Sequence, residues 1–236
     1  MSAPFDALVG AAVCALQGLT IACLLATGRF GPMTSAAAGV LMGSLAIGSG
    51  VLLALRHCHR RFHVEFACTA PATVCAIALA VGVDDPAVLQ AQVGLMVGAV
   101  LLGIAAERTQ IPLEEQQEEA PDWAPAVVFH AGAWLLCVSA FAPILMMRTY
   151  PSSTPLAWME AALFAGVGAV QAWSLVAKAR ALRRFCDSLK PAEPNPDETA
   201  HRLLQQAEDR LETAFASLWL LARTALACWL TAFPVA

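Results

Sequence analysis

Runs of about twenty apolar residues separated by short polar breaks dominate the chain, and that is the length a helix needs to cross a bilayer core. Seven such runs occur, at roughly 7–27, 33–55, 63–83, 86–106, 125–147, 155–177 and 214–233. They predict an all-α membrane protein, a seven-transmembrane-helix bundle that forms a single domain over residues 1–236. The first run is too long for the apolar core of a signal peptide, lacks a basic flank and shows no clear cleavage site, so it counts as a span. Glycines recur within the spans (Gly39, Gly43, Gly48, Gly50, Gly94, Gly98, Gly103), which predicts helix backbones in close approach.

Two polar segments interrupt the pattern. Residues 107–124 read as a solvated acidic connector. Residues 178–213 read as a cytoplasmic loop, whose first part, KARALRRF, continues the sixth helix out of the membrane. PAEPNP stops that helix, because proline lacks the amide donor and its ring blocks continuation. HRLLQQAEDRLE is an amphipathic approach to the last span, with Leu203, Leu204 and Leu211 on one face. No internal repeat supports a transporter built from duplicated halves.

Composition agrees with a bilayer as solvent. Hydrophobic residues make up 58% of the chain and charged ones 14%, with a mean hydropathy of +0.64. That balance excludes a disordered chain and a secreted disulfide scaffold. A net charge of −4 offers no basic surface to nucleic acid, so the first partner is the lipid bilayer. The expected location is a multi-pass position in the membrane. Lysine and arginine set the orientation. Arg56, Arg60, Arg61, Arg108, Lys178, Arg180, Arg183, Arg184, Lys190, Arg202 and Arg210 fall on one side, and only Arg29 and Arg148 on the other. The expectation is an N-terminus inside and a C-terminus outside.

The remaining basic residue, Arg223, lies within the seventh span. Ionisable groups inside spans are costly and are candidate functional residues. Besides Arg223 they are Glu65, His130 and Glu160. Arg223 lies too deep to reach either surface easily, and its guanidinium stays charged, so it needs a buried partner. Glu65 is the natural one, because the third and seventh spans start on the same side. On the residues alone, this is a structural ion pair that sets helix register.

Other clusters carry less. His59 and His63 have a metal-ligand spacing beside His57 and Cys58, yet Arg56, Arg60 and Arg61 would repel a cation. The cluster reads as a basic interfacial anchor, and no metal is expected. The eight cysteines show no CxxC pair and serve as small apolar residues. Trp123 and Trp158 sit near span ends, while Trp134, Trp173, Trp219 and Trp229 lie deeper, either lining a pocket or packing the bundle. No nucleophile and base are paired, so no enzyme is expected.

The third span, RFHVEFACTAPATVCAIALAVG, resembles the third helix of the heliorhodopsins, the inverted branch of the microbial rhodopsins. DDPAVLQAQVGLMVGAVLLGIAAE is similar to their fourth helix down to Glu107, and Trp123, Pro125, Gly132 and Trp134 match their fifth. Gln17 matches a family glutamine, and Cys14 stands where many members have a pocket histidine. Gln171 and Trp173 fall where the family has asparagine and tryptophan. The resemblance implies a rhodopsin-like bundle, Glu65 as Schiff-base counterion, a sensory or regulatory photoreceptor-like role, and a homodimer.

The seventh span departs from the family. Where heliorhodopsins carry the retinal-binding lysine, ETAFASLWLLARTALACW places Arg223, or Thr224 with a shift of one residue. Neither forms a Schiff base. Lys178, in SLVAK, opens the basic run at the membrane surface and is not mid-helix. What the resemblance then implies is a pocket that holds retinal or another apolar ligand without a covalent bond, or holds none. Its lining would draw on Cys14, Gln17, Trp134, Gln171, Trp173 and Trp219. Two other readings stay open: a small ion channel or transporter with a path past Glu65, Arg223 and Glu160, and a structural membrane protein.

Overall fold

A computed structural model describes residues 3–26, 32–55, 61–108, 124–146, 154–188 and 213–230. Each expected span is helical there, giving seven helices among the described residues: α1 Ala3–Ala26, α2 Pro32–Ala54, α3 Arg61–Ala80, α4 Pro86–Arg108, α5 Ala124–Met146, α6 Thr154–Ser188 and α7 Thr213–Leu230. Five carry segments long and apolar enough to cross a membrane: Pro32–Ala54, Pro86–Ala106, Ala124–Met146, Pro155–Trp173 and Thr213–Leu230. Within α1 and α3 the stretches Leu8–Cys23 and Val64–Ala80 are apolar as well. Several helices expose large apolar side chains, among them Leu101, Val128 and Leu135 at 60–68%. Water would penalise such a surface, and lipid does not. KARALRRF does continue α6, which is helical to Ser188. PAEPNP, HRLLQQAEDRLE, most of the acidic connector, Trp123, His57, Cys58 and His59 lie outside the described residues.

The third span ends earlier than its hydropathy suggests, at Ala80, because Gly82 turns the chain. Its φ of 88° is open to glycine and strained for other residues. The Val83 amide donates to Ala78 O at 2.9 Å and the Gly82 amide to Leu79 O at 3.1 Å, which closes the helix in a Schellman motif. Two residues later Asp85 caps α4, its Oδ1 accepting from the Ala87 amide at 2.8 Å, with Pro86 in the first helical position. A tight link of this kind keeps α3 and α4 adjacent.

The chain forms two compact units, Met1–Ala161 with Arg223–Ala236, and Ala162–Ala222. In the first, α1 packs on α2, α2 on α3, α3 on α4 and α5, and α4 on α5. The glycine expectation needs correction. Gly39, Gly43, Gly50, Gly94 and Gly103 face open space, with nothing within 4 Å of where a Cβ would stand. Of the expected glycines, Gly48 and Gly98 are in close approach, and Gly132 joins them. A Cβ at Gly98 would meet Leu136 at 3.0 Å, and one at Gly132 would meet Leu102 at 3.0 Å, so α4 and α5 each seat the other's leucine. The Gln92 side-chain amide ties the same helices by donating to Ala140 O at 3.0 Å, one turn before Pro143. In the second unit, Gly166 lies against Leu218, and Phe164 meets Trp219 edge to face with centroids 5.5 Å apart.

Candidate functional site

The most enclosed polar groups of the first unit start from one face of α3. Glu65, Thr69 and Thr73 follow at four-residue intervals, one helical turn apart, and all are fully buried. Buried hydroxyls must find partners, and these do so locally. Thr73 Oγ1 donates to Thr69 O at 3.0 Å. Thr69 Oγ1 stands 2.8 Å from Glu65 O and 3.1 Å from Glu65 Oε1, so its single hydrogen serves both the helix and the carboxylate. From α2, Ser44 Oγ lies 3.1 Å from Thr73 Oγ1 and 3.4 Å from Thr69 O. With the Thr73 hydrogen committed to Thr69 O, Ser44 is the donor to Thr73. Ser44→Ala is expected to lower stability by about 1 kcal/mol, read as a shifted midpoint in a denaturing-detergent titration.

Arg223 reaches this stripe from α7. It stands about 15 Å along that helix from Thr213, at 1.5 Å per residue. Its Nη1 donates to Glu65 Oε1 at 2.5 Å, and both side chains are wholly buried. Leu226 and Leu230, three and seven residues on, are buried as well, so Arg223 shares its side of α7 with apolar residues. The cost of placing a guanidinium there is met by the carboxylate. Gly48 of α2 leaves the room that this requires. A Cβ there would stand 2.5 Å from Glu65 Oε1 and 2.9 Å from Arg223 Nη1.

α1 completes the surround. Cys14 is fully buried and feels the charges of both Arg223 and Glu65. One turn on, Gln17 Nε2 donates to Thr224 Oγ1 at 2.5 Å, while Gln17 Oε1 has no hydrogen-bond partner among the described residues. Cys14, Gln17, Glu65 and Arg223, all singled out in the sequence, are therefore gathered around one ion pair, together with Thr224.

Trp134 donates from Nε1 to His130 Nε2 at 3.1 Å on its own helix. Trp219 is buried against Phe164 in the second unit. There Gln171 is half-buried and Trp173 is 56% exposed, an outward position rather than a pocket wall. Glu160 is fully buried, and its carboxyl oxygens accept no hydrogen bond from any described residue. No group of three or more metal-ligating side chains occurs among the described residues.

Sequence reasoning passed over Ser44, Thr69, Thr73 and the special place of Gly48. The Glu-Thr-Thr spacing was a readable signal. Nothing in the sequence separates Gly48 from its neighbours, since its role depends on what lies opposite.

A covalently held retinal needs a primary amine in mid-helix. The chain's lysines are Lys178 and Lys190. Lys178 lies on α6 at the start of the basic run KARALRRF, and Lys190 lies outside the described residues. The mid-helix position of α7 holds a guanidinium already committed to Glu65. These residues do not fit a retinal Schiff base. Comparison with protein-family models, curated proteins and solved structures finds no match.

Proposed function

We propose that this chain is a multi-pass membrane protein of heliorhodopsin type, with its N-terminus inside and its C-terminus outside, in which a permanent internal ion pair replaces the protonated Schiff base. The buried Glu65–Arg223 pair carries the reading. In a rhodopsin the third-helix carboxylate balances a positive charge on the seventh helix. Here the same two helices supply a carboxylate and a cation, and the cation is part of the protein itself. The excess of basic residues on one side of the spans supports the orientation. The role that follows is sensory or regulatory, exerted through a partner. The Ser44, Thr69 and Thr73 hydroxyls are committed to one another and to the carboxylate. That commitment favours a fixed charge pair over an ion path. Retinal, or another apolar ligand, is held without a covalent bond where it is held at all.

The test is a visible spectrum of purified protein after addition of all-trans retinal. The wild type is expected to give no red-shifted band that survives acid denaturation as an adduct. Arg223→Lys is expected to give one, because it restores an amine opposite Glu65. An adduct in the wild type, or none in a well-folded Arg223→Lys protein, overturns the reading. Ion flux in liposomes, independent of retinal and abolished by Glu65→Gln, would instead establish a channel or transporter.

A further inference from the structure

Among the described residues two carboxyl groups are fully buried, and they are treated differently. Glu65 is closed on Arg223. Glu160 lies in the apolar segment Pro155–Trp173 of α6, and neither of its oxygens is hydrogen-bonded to a described residue. Helix register explains its burial. Leu156 and Ala157 lie one turn before it, Phe164 and Val167 one and two turns after it, and all four are buried. Trp158 and Met159, between them, point outward at 58% and 39% exposure. Glu160 is therefore the one ionisable member of the inward, otherwise apolar stripe of α6.

No described group of the other helices balances it. Glu65 and Arg223 are bonded to each other, and Cys14 lies beside that pair. His130 accepts from Trp134, and Asp84 and Asp85 are exposed in the link between α3 and α4. The partly buried thiols of Cys75 and Cys137 offer no positive charge. No charge of a described residue acts on Glu160, whose surroundings exert burial alone. An ionised carboxylate has nothing there to replace its lost water, and the neutral acid is far cheaper to bury. A metal ion would call for several ligands. A proton needs neither ligands nor room, and it gives the carboxyl a hydrogen to donate to a carbonyl.

We infer that Glu160 is a proton-binding site within the membrane, its carboxyl group protonated in the folded protein at neutral pH. The site is independent of the Glu65–Arg223 pair, which carries its own counter-charge. The proton leaves when water reaches the carboxyl, so proton binding and closure around Glu160 favour each other. Carboxyl groups inside spans serve proton transfer in this way.

The experiment is infrared spectroscopy of the full chain at neutral pH, in a detergent without ester groups. A protonated carboxyl absorbs there at higher wavenumber than amides and carboxylates. The wild type is expected to show such a band, and Glu160→Gln to lose it. A wild type without the band, or a variant that keeps it, overturns the proposal. Glutamine is the neutral isostere of the acid, so the variant is expected to fold. Labelling the wild-type glutamates with carbon-13 gives a test that needs no variant: the band is expected to shift, and one that stays in place overturns the assignment. Unfolding supplies a second readout. In the unfolded chain a glutamate is ionised above about pH 4.3, so unfolding releases the proton and rising pH favours it. From about pH 5 to 7 the wild-type unfolding constant, relative to that of Glu160→Gln, is expected to rise about tenfold per pH unit. A ratio that does not change with pH overturns the proposal.

Discussion

Glu65→Leu is expected to destabilise the protein by about 3–5 kcal/mol, the cost of leaving one member of a buried ion pair without its counter-charge. Neither side chain of the pair reaches solvent. Once Glu65 is gone, Arg223 cannot lose its charge, because a guanidinium stays protonated under any condition in which the protein folds. Arg223→Met is expected to cost less, since a lone carboxylate can neutralise itself by taking up a proton. The double variant Glu65→Leu/Arg223→Met should recover most of the stability, because well-packed apolar residues often replace a buried pair at little cost. The three variants with the wild type form a double-mutant cycle, measured by unfolding in mixed detergent micelles. Additive losses in that cycle would show that the two residues do not depend on each other.

The second large effect is expected at Gly48. Glycine inside a helix usually costs stability, and replacing it with alanine usually gains about 0.5–1 kcal/mol. Here the sign reverses. The alanine Cβ would overlap Glu65 Oε1 and crowd Arg223 Nη1. Both atoms are ends of flexible side chains, so they can move aside, but only by separating the charges they bring together. A loss of about 1–3 kcal/mol is expected for Gly48→Ala, the usual range for overpacking. In the Glu65→Leu/Arg223→Met background the penalty should shrink, because no ion pair is left to separate. A penalty of equal size in both backgrounds would mean that Gly48 makes room for something else. Gly43→Ala, at a glycine of the same helix with open space around it, is the control and is expected to be neutral or stabilising.

The contrast between these two glycines shows where the sequence stops being informative. Both look alike in an apolar run, and on the sequence both predict close packing. Gly43 faces open space and Gly48 faces the charge pair. Gly132, by contrast, matters for α4–α5 packing and stood in the sequence only as a match to a family position. Thr69 and Thr73 look like ordinary small residues of a span until the helix aligns them under Glu65 and brings Ser44 across from α2. The end of α3 was nearer to legible. Glycine followed by Asp-Asp-Pro is a stop-and-start signal, and the hydrogen bonds around Gly82 and Asp85 realise it.

The sequence by itself determined how many apolar segments there are, their approximate ends, the continuation of α6 past its apolar part, and the isolation of one arginine in the last span. Each of these is a property of a continuous stretch, because hydropathy and helix rise act along the chain. The tertiary structure decided which small residues admit a neighbour, which hydroxyls steady the carboxylate, and that Cys14, Gln17 and Gly48 gather around the buried Glu65–Arg223 pair. Those are properties of approach between helices, where a few tenths of an ångström separate contact from open space. A charge buried in apolar surroundings must find a counter-charge, which is why Arg223 and its partner Glu65 could be singled out from the sequence, while the small and hydroxyl groups that surround them depend on how closely the helices approach.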